Sequence, residues 1–331
     1  MKRIIIGIHG LGNKPPASLY QSWWRKSLYE GFSRIGHPRR HLSFELVYWA
    51  DILHPEPLDP SVKDPDNKRF LDEPYLIAAG TSTVKQSIMR KKLLHLFDKQ
   101  LDRLKLDGEG NIIWKHITDL IIQRYFFELD SYYRNSWTSP VEGPQPVRDR
   151  IRSRLAKALR RHQDKEILLI AHSMGAIIAY DVLAHTVPEV RVQQLVTIGA
   201  PLGVPVVVQK IRSEWGLSAG MPPTPDAVVE RWHNLADLED KVAFDYKLAD
   251  DYRPNRHQVA PLDVQVVNDY VIQRKRNPHK DFGYLRTREL ATICFNFISQ
   301  GSSAGRMRRL DLQYRLWEKL LRWIKGSPQS T

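Results

Sequence analysis

The segment that most restricts the fold lies at mid-chain. Glu166-Ile167-Leu168-Leu169-Ile170 reads as a buried strand and runs directly into Ala171-His172-Ser173-Met174-Gly175. A helical pattern from Ala176 to Leu183 follows at once. A strand that turns into a helix over so few residues brings the positions two before and two after the turn residue close together, so both must be small. Here they are Ala171 and Gly175. A helix-capping serine is the competing reading, but a plain cap makes no demand for small residues on both sides. Such a turn presents a serine hydroxyl where a neighbouring base can take its proton, which a serine needs to act as a nucleophile. The pattern is usually G-x-S-x-G; alanine in first place departs from it and weakens the match more than the mechanism.

The rest of the chain alternates in the same way. Ile4 to Ile8 is a short apolar strand ended by His9-Gly10-Leu11-Gly12, and after a loop over 13–18 the residues Leu19, Trp23, Leu28, Phe32 and Ile35 keep helical period until Gly36. Phe44 to Trp49 reads as a second strand and Val147 to Leu159 as a basic helix. Gln194–Ile198, Val228–Leu235 and Val264–Val267 read as further strands, and Thr287–Ile298 as a helix. Strands that alternate with helices predict an α/β fold: a mostly parallel central sheet with helices on both faces. Residues 1–51 and 141–305 form that core. Residues 52–140 read as an insertion: a Pro- and Asp-rich loop to about Glu73, then helices over 81–106 and 111–133. Residues 306–331 carry a basic amphipathic C-terminal helix.

The pairing of Ile8-His9-Gly10-Leu11-Gly12 with Ala171-His172-Ser173-Met174-Gly175 resembles the lipase and esterase branch of the α/β-hydrolases, over roughly residues 1–51 and 144–300. The resemblance implies a serine hydrolase with Ser173 as nucleophile. It implies an oxyanion hole built from the backbone N–H of Met174 and one from the loop after the first strand, for which Leu11 is the candidate. Neither G-x-G-x-x-G nor G-x-x-x-x-G-K-[ST] is present, which argues against a nucleotide loop at that place.

In this family the order is serine, acid, histidine, so both partners fall after Ser173. Arg231 to Ala243 resembles the lipase pattern in which a strand ends in W-x-N and an aspartate follows shortly before a valine. Matched so, Asp240 is the acid, with Asp237 as the alternative nearer the strand end. For the base, His257 and His279 remain. His279 follows the last strand, precedes a helix and sits in a loop similar to the family's H-x-x-Y, although Tyr284 stands further away than that spacing gives. His9 is expected to shape its loop and His172 to pack.

The implied reaction cleaves a carboxylic ester through an acyl-enzyme and calls for no cofactor or metal; no HExxH, clustered cysteines or EF-hand loop suggests one. An acyltransferase using the same residues, or a non-catalytic binding protein on the same fold, stays open. The apolar stripe through Ile112, Trp114, Leu120, Tyr125 and Phe126 fits either a cap or lid over an acyl site or a helix packed on the core; a lipid-like acyl ester is the expected substrate, while thioester and amide use the same chemistry. A formal charge of +13 speaks to association rather than fold. No nucleic-acid signature accompanies it; the last helix could rest on an anionic membrane as a peripheral contact, or pack on the sheet or on a second subunit. The single cysteine, Cys294, excludes an intrachain disulfide and fits a reducing compartment. The N-terminal apolar run falls short of the roughly 7–15 residues of a secretory signal, and no run reaches the roughly 18 of a membrane span. A cytoplasmic protein is expected.

Overall fold

The computed structural model describes residues 2–38, 41–78, 132, 146–243 and 245–300. The proposed helices over 81–106, 111–133 and 306–324 therefore lie outside the described residues, Tyr132 excepted.

Six strands form one parallel sheet: β1 (Arg3–Ile8), β2 (Phe44–Val47), β3 (Glu166–His172), β4 (Val192–Ile198), β5 (Val228–Asp237) and β6 (Pro261–Val266), in the order β2-β1-β3-β4-β5-β6. Both faces are covered, which is why the strands read as continuous apolar runs rather than alternating ones. Ile4, Ile6 and Ile8 face one layer with Ile167, Leu169 and Ala171; Ile5 faces the other with Leu168 and Ile170. The first layer holds α2 (Val147–Arg161), α3 (Met174–Asp181) and α4 (Pro205–Glu214), through residues such as Leu155, Ile177 and Val207. The second holds α1 (Ala17–Arg34), α5 (Asp281–Leu285) and α6 (Arg288–Ser299), through Trp24, Phe282 and Cys294. This is the expected α/β architecture.

Local chemistry sets the helix ends. Gly36 takes φ +76°, and the bonds His37 N–H to Phe32 O and Gly36 N–H to Ser33 O close α1 in a Schellman motif. Thr287 caps α6 by accepting from the Leu290 amide. The helix Pro205–Glu214 was not foreseen in the sequence; Pro205 occupies its first position, where the missing N–H costs nothing. A hairpin of β7 (Val271–Ile272) and β8 (Lys275–Arg276) was likewise unforeseen, because two-residue strands carry no period. Among the described residues no helix is long and apolar enough to cross a membrane.

Two features of the topology position a site. The strand order changes direction between β1 and β3, and an α/β sheet opens a crevice at the carboxyl ends of its strands at such a switch point. Ile8 of β1 pairs with Ala171 of β3, so His9-Gly10 and His172-Ser173 leave the sheet side by side. The loop expected from Ile52 to Glu73 crosses these ends. It is tied to the first loop by Asn13 Nδ2 to Glu56 O (2.8 Å) and Leu58 N–H to Lys14 O (3.0 Å). Further along, Tyr270 Oη donates to Pro74 O (2.7 Å) and Asn277 Nδ2 to Glu73 Oε1 (2.5 Å).

Candidate active site

The turn at Ser173 is sharp. The residue has φ 53° and ψ −126°, a conformation L-residues avoid and which persists only where surrounding structure enforces it. Ser173 N–H bonds to Ile198 O at 3.1 Å, and α3 begins at the next residue. A Cβ at Gly175 would lie 2.7 Å from both the Ile8 and His9 carbonyl oxygens. One at Gly10 would lie 2.7 Å from Ser173 Cβ. The loops from β1 and β3 thus interlock at a distance only glycine allows, while Ala171 is accommodated, fully buried, on the other side of the turn.

Three side chains from three loops meet here. His279 Nε2 stands 3.0 Å from Ser173 Oγ, and its Nδ1 stands 2.9 and 2.8 Å from Asp240 Oδ1 and Oδ2. The ionised carboxylate only accepts, so Nδ1 carries the proton and Nε2 is left to accept from the serine hydroxyl. Asp240 is buried, which by itself would raise its pKa. The nearby His279, the Tyr284 hydroxyl at 2.8 Å and the Val242 amide at 2.9 Å outweigh burial and hold it below the ordinary aspartate value. Asp237, the other candidate acid, is engaged elsewhere: it accepts from the Asn268 amide at 2.7 Å and is paired with Arg276. His257 sits beside Asn255 and Arg256, in the loop before β6. The fold therefore brings Asp240 and His279 to Ser173.

The neighbouring histidines have other work. His9 is buried and stacked on Trp49, with its Nε2 accepting from the Trp49 amide at 3.0 Å. Its Nδ1 is then the protonated nitrogen and donates to Gly10 O at 2.8 Å. Burial first, then Lys14, keeps the ring neutral by lowering its pKa well below the ordinary value. It shapes its loop as expected. His172 does more than pack: its Nε2 donates to His279 O at 2.9 Å, and burial followed by the proximity of His279 lowers its pKa to about 3.

Of the two candidate oxyanion donors, Met174 opens α3, where the amide lies outside the helix's own ladder. The Leu11 amide makes no hydrogen bond among the described residues, and Lys14 Nζ holds the Leu11 carbonyl. Ser173 and His279 open onto a cleft of about 730 Å³. Apolar side chains (Leu58, Phe70, Val242) and charged ones of both signs (Lys14, Glu73, Lys280) line it together.

Sequence reasoning missed Gly199 and the position of Tyr284. Gly199 has φ +55°, and a Cβ there would lie 2.8 Å from Asp240 Oδ2, 2.9 Å from Tyr284 Cε2 and 3.3 Å from His279 Nδ1. The one available signal was a glycine closing a strand, which alone does not say what fills the space above it.

Asp181, His185 and Glu214 place potential ligand atoms within 4.8 Å of one another at the carboxyl ends of α3 and α4. Arg148 already supplies the positive charge there, pairing with Asp181 at 2.7 Å and with Glu214. Burial, and then the Asp181 charge, raises the Glu214 pKa to about 7. The cluster reads as an ion-pair network. No known family model and no curated protein matches the chain.

Proposed function

We propose that the protein is a serine hydrolase of α/β-hydrolase type that cleaves carboxylic esters through an acyl-enzyme. The observation that carries this reading is the continuous line Ser173 Oγ, His279 Nε2, His279 Nδ1, Asp240, at hydrogen-bond distance throughout and open to a cleft.

The proposed steps use this geometry. As Ser173 Oγ attacks the ester carbonyl carbon, its proton passes to His279 Nε2, and Asp240 stabilises the imidazolium through Nδ1–H. The carbonyl electron pair becomes an oxyanion facing the Leu11 and Met174 amides; donors of this kind are worth about 10²–10³ in kcat each. The carbon–oxygen bond to the alcohol breaks, and the leaving alcohol takes the proton from His279. Water, deprotonated by the same nitrogen, then attacks the acyl-serine and releases the acid. The chemistry runs on side chains and backbone alone.

The substrate expected from the sequence, a lipid-like acyl ester, can meet both apolar and charged side chains in this cleft, and the chain's positive charge would favour contact with an anionic membrane that offers such a substrate. The test is labelling by a fluorophosphonate probe, followed by p-nitrophenyl esters of rising chain length and then phospholipids. Labelling of the folded protein that Ser173→Ala abolishes is expected. Absence of labelling in the unaltered protein overturns the reading in favour of a binding protein. Product that depends on an added alcohol acceptor would assign acyl transfer instead.

A further inference from the structure

Tyr284 is fully buried, and its hydroxyl stands between two groups at the end of β5. It accepts from the Asp237 amide at 3.0 Å and donates to Asp240 Oδ2 at 2.8 Å. The amide occupies one side of the phenol oxygen, so the phenol proton is directed at the carboxylate. On the other carboxylate oxygen, Oδ1 accepts from the amides of Val242 at 2.9 Å and Ala243 at 3.3 Å. Those two contacts anchor one oxygen. The other, Oδ2, meets His279 Nδ1 at 2.8 Å, and Tyr284 is the second donor that fixes it there.

We propose that Tyr284 is a positioning residue for the reaction: its hydroxyl holds the Asp240 carboxylate with both oxygens toward His279 Nδ1, and it touches no substrate. This rests on the serine-hydrolase reading.

Two further observations support the assignment. The tyrosine and the base share one short segment: His279 lies just before α5 and Tyr284 lies within it. That helix is fixed at its start by Asp281, which accepts from Tyr20 Oη at 2.5 Å and Trp24 Nε1 at 2.6 Å. Gly199, by lacking a Cβ, leaves the space in which the tyrosine ring edge, the carboxylate and the imidazole converge. Burial, and then the Asp240 charge, raises the phenol pKa well above its ordinary value, so the group remains a donor throughout the working range.

A donor to Asp240 also withdraws charge from it. Removing that donor leaves a more negative carboxylate facing His279, which favours the imidazolium and moves the acid limb of the pH–rate profile to higher pH. A stronger donor moves it to lower pH. The experiment compares Tyr284→Phe with the protein carrying 3-fluorotyrosine at 284, whose phenol is the more acidic. Expected for Tyr284→Phe is a fall of about tenfold in kcat with KM within about twofold, because only orientation at the reacting centre is lost. The acid limb should move upward in this variant and downward with fluorotyrosine. Limbs that stay in place in both proteins, or a loss confined to KM, would reduce Tyr284 to a packing residue and overturn the proposal. Should Tyr284→Phe fail to fold, the fluorotyrosine protein carries the test. The low-field proton resonance of the His279 Nδ1–H reads the same contact without turnover. A shift of that resonance in either variant is expected, and its constancy overturns the proposal even if the unaltered protein takes no fluorophosphonate label, which would instead count against the parent reading.

Discussion

His172 donates through Nε2 to the backbone carbonyl of His279 at 2.9 Å, so the residue before the serine holds the loop that carries the histidine. The bond joins the carboxyl end of β3 to a residue 107 positions later. His172→Phe keeps a ring in the space and removes the donor. If His279 is the base of the proposed hydrolysis, small misplacements of it are costly, and kcat/KM for an ester should fall by about 10–100-fold. An unchanged kcat/KM would show that the loop is held by its other contacts alone.

The same histidine sets a pH dependence of stability. Its pKa is lowered to about 3 in the folded protein, against an ordinary 6.5, by burial first and then by His279. The unfolded chain therefore takes up the proton first, and stability is lost as pH falls from about 6.5 toward 3. Each such histidine contributes a slope of at most about 1.4 kcal/mol per pH unit. His9 acts in the same direction. Urea unfolding at pH 7, 6, 5 and 4 should show falling midpoints, and His172→Phe should show a shallower fall. Equal slopes in the two proteins would contradict the assignment.

The two aspartates at the end of β5 should separate cleanly. Asp240→Asn leaves the shape and removes the charge that, in the proposed reaction, supports the imidazolium, so kcat should drop by roughly 10³–10⁴-fold. Asp237→Asn breaks the pair with Arg276, which keeps its contact with Glu239, and should cost about 1–3 kcal/mol of stability. Its kcat in the fraction that stays folded should remain within about tenfold of the unaltered protein. Steady-state kinetics beside thermal unfolding checks both, and the reverse pattern would exchange their roles.

Backbone strain at Ser173 is open to measurement. Its φ of 53° with ψ −126° costs about 1–3 kcal/mol. Ser173→Gly relieves that strain but adds unfolded-state entropy of roughly 0.5–1 kcal/mol. A net gain of about 1 kcal/mol is expected, together with complete loss of fluorophosphonate labelling. Gly175→Ala should do the opposite, forcing a methyl group to within 2.7 Å of two carbonyl oxygens. A destabilised Ser173→Gly protein would show that the turn is unstrained.

Much of the site could be read along the chain wherever the signal was local. The strand-turn-helix around Ser173 was legible because a tight bend restricts the residues on either side of it. The His9-Gly10 loop was legible because it ends an apolar strand, although its reason, the contact of Gly10 with Ser173, was not. The acid and base were narrowed by family resemblance to pairs, Asp240 or Asp237 and His279 or His257. Tyr284 stands further from His279 than the family's spacing gives, and its bond to Asp240, 44 positions away, leaves no signal along the chain.

The amino-acid sequence by itself determined the alternation of buried strands with amphipathic helices, and with it a covered parallel sheet and a serine at a bend between two small residues. Those are properties of neighbours along the chain, decided by period and side-chain size. Only the tertiary structure decided which carboxylate and which imidazole meet that serine. His279 lies 106 residues from Ser173 and 39 from Asp240. What brings them together is the order in which the strands pair, with β1, β3, β4 and β5 side by side and their carboxyl ends at one edge. Asp237 and Asp240 are nearly equivalent in composition around them. They differ in what the fold places opposite each: an arginine from the β7–β8 hairpin for one, and a histidine and a tyrosine for the other.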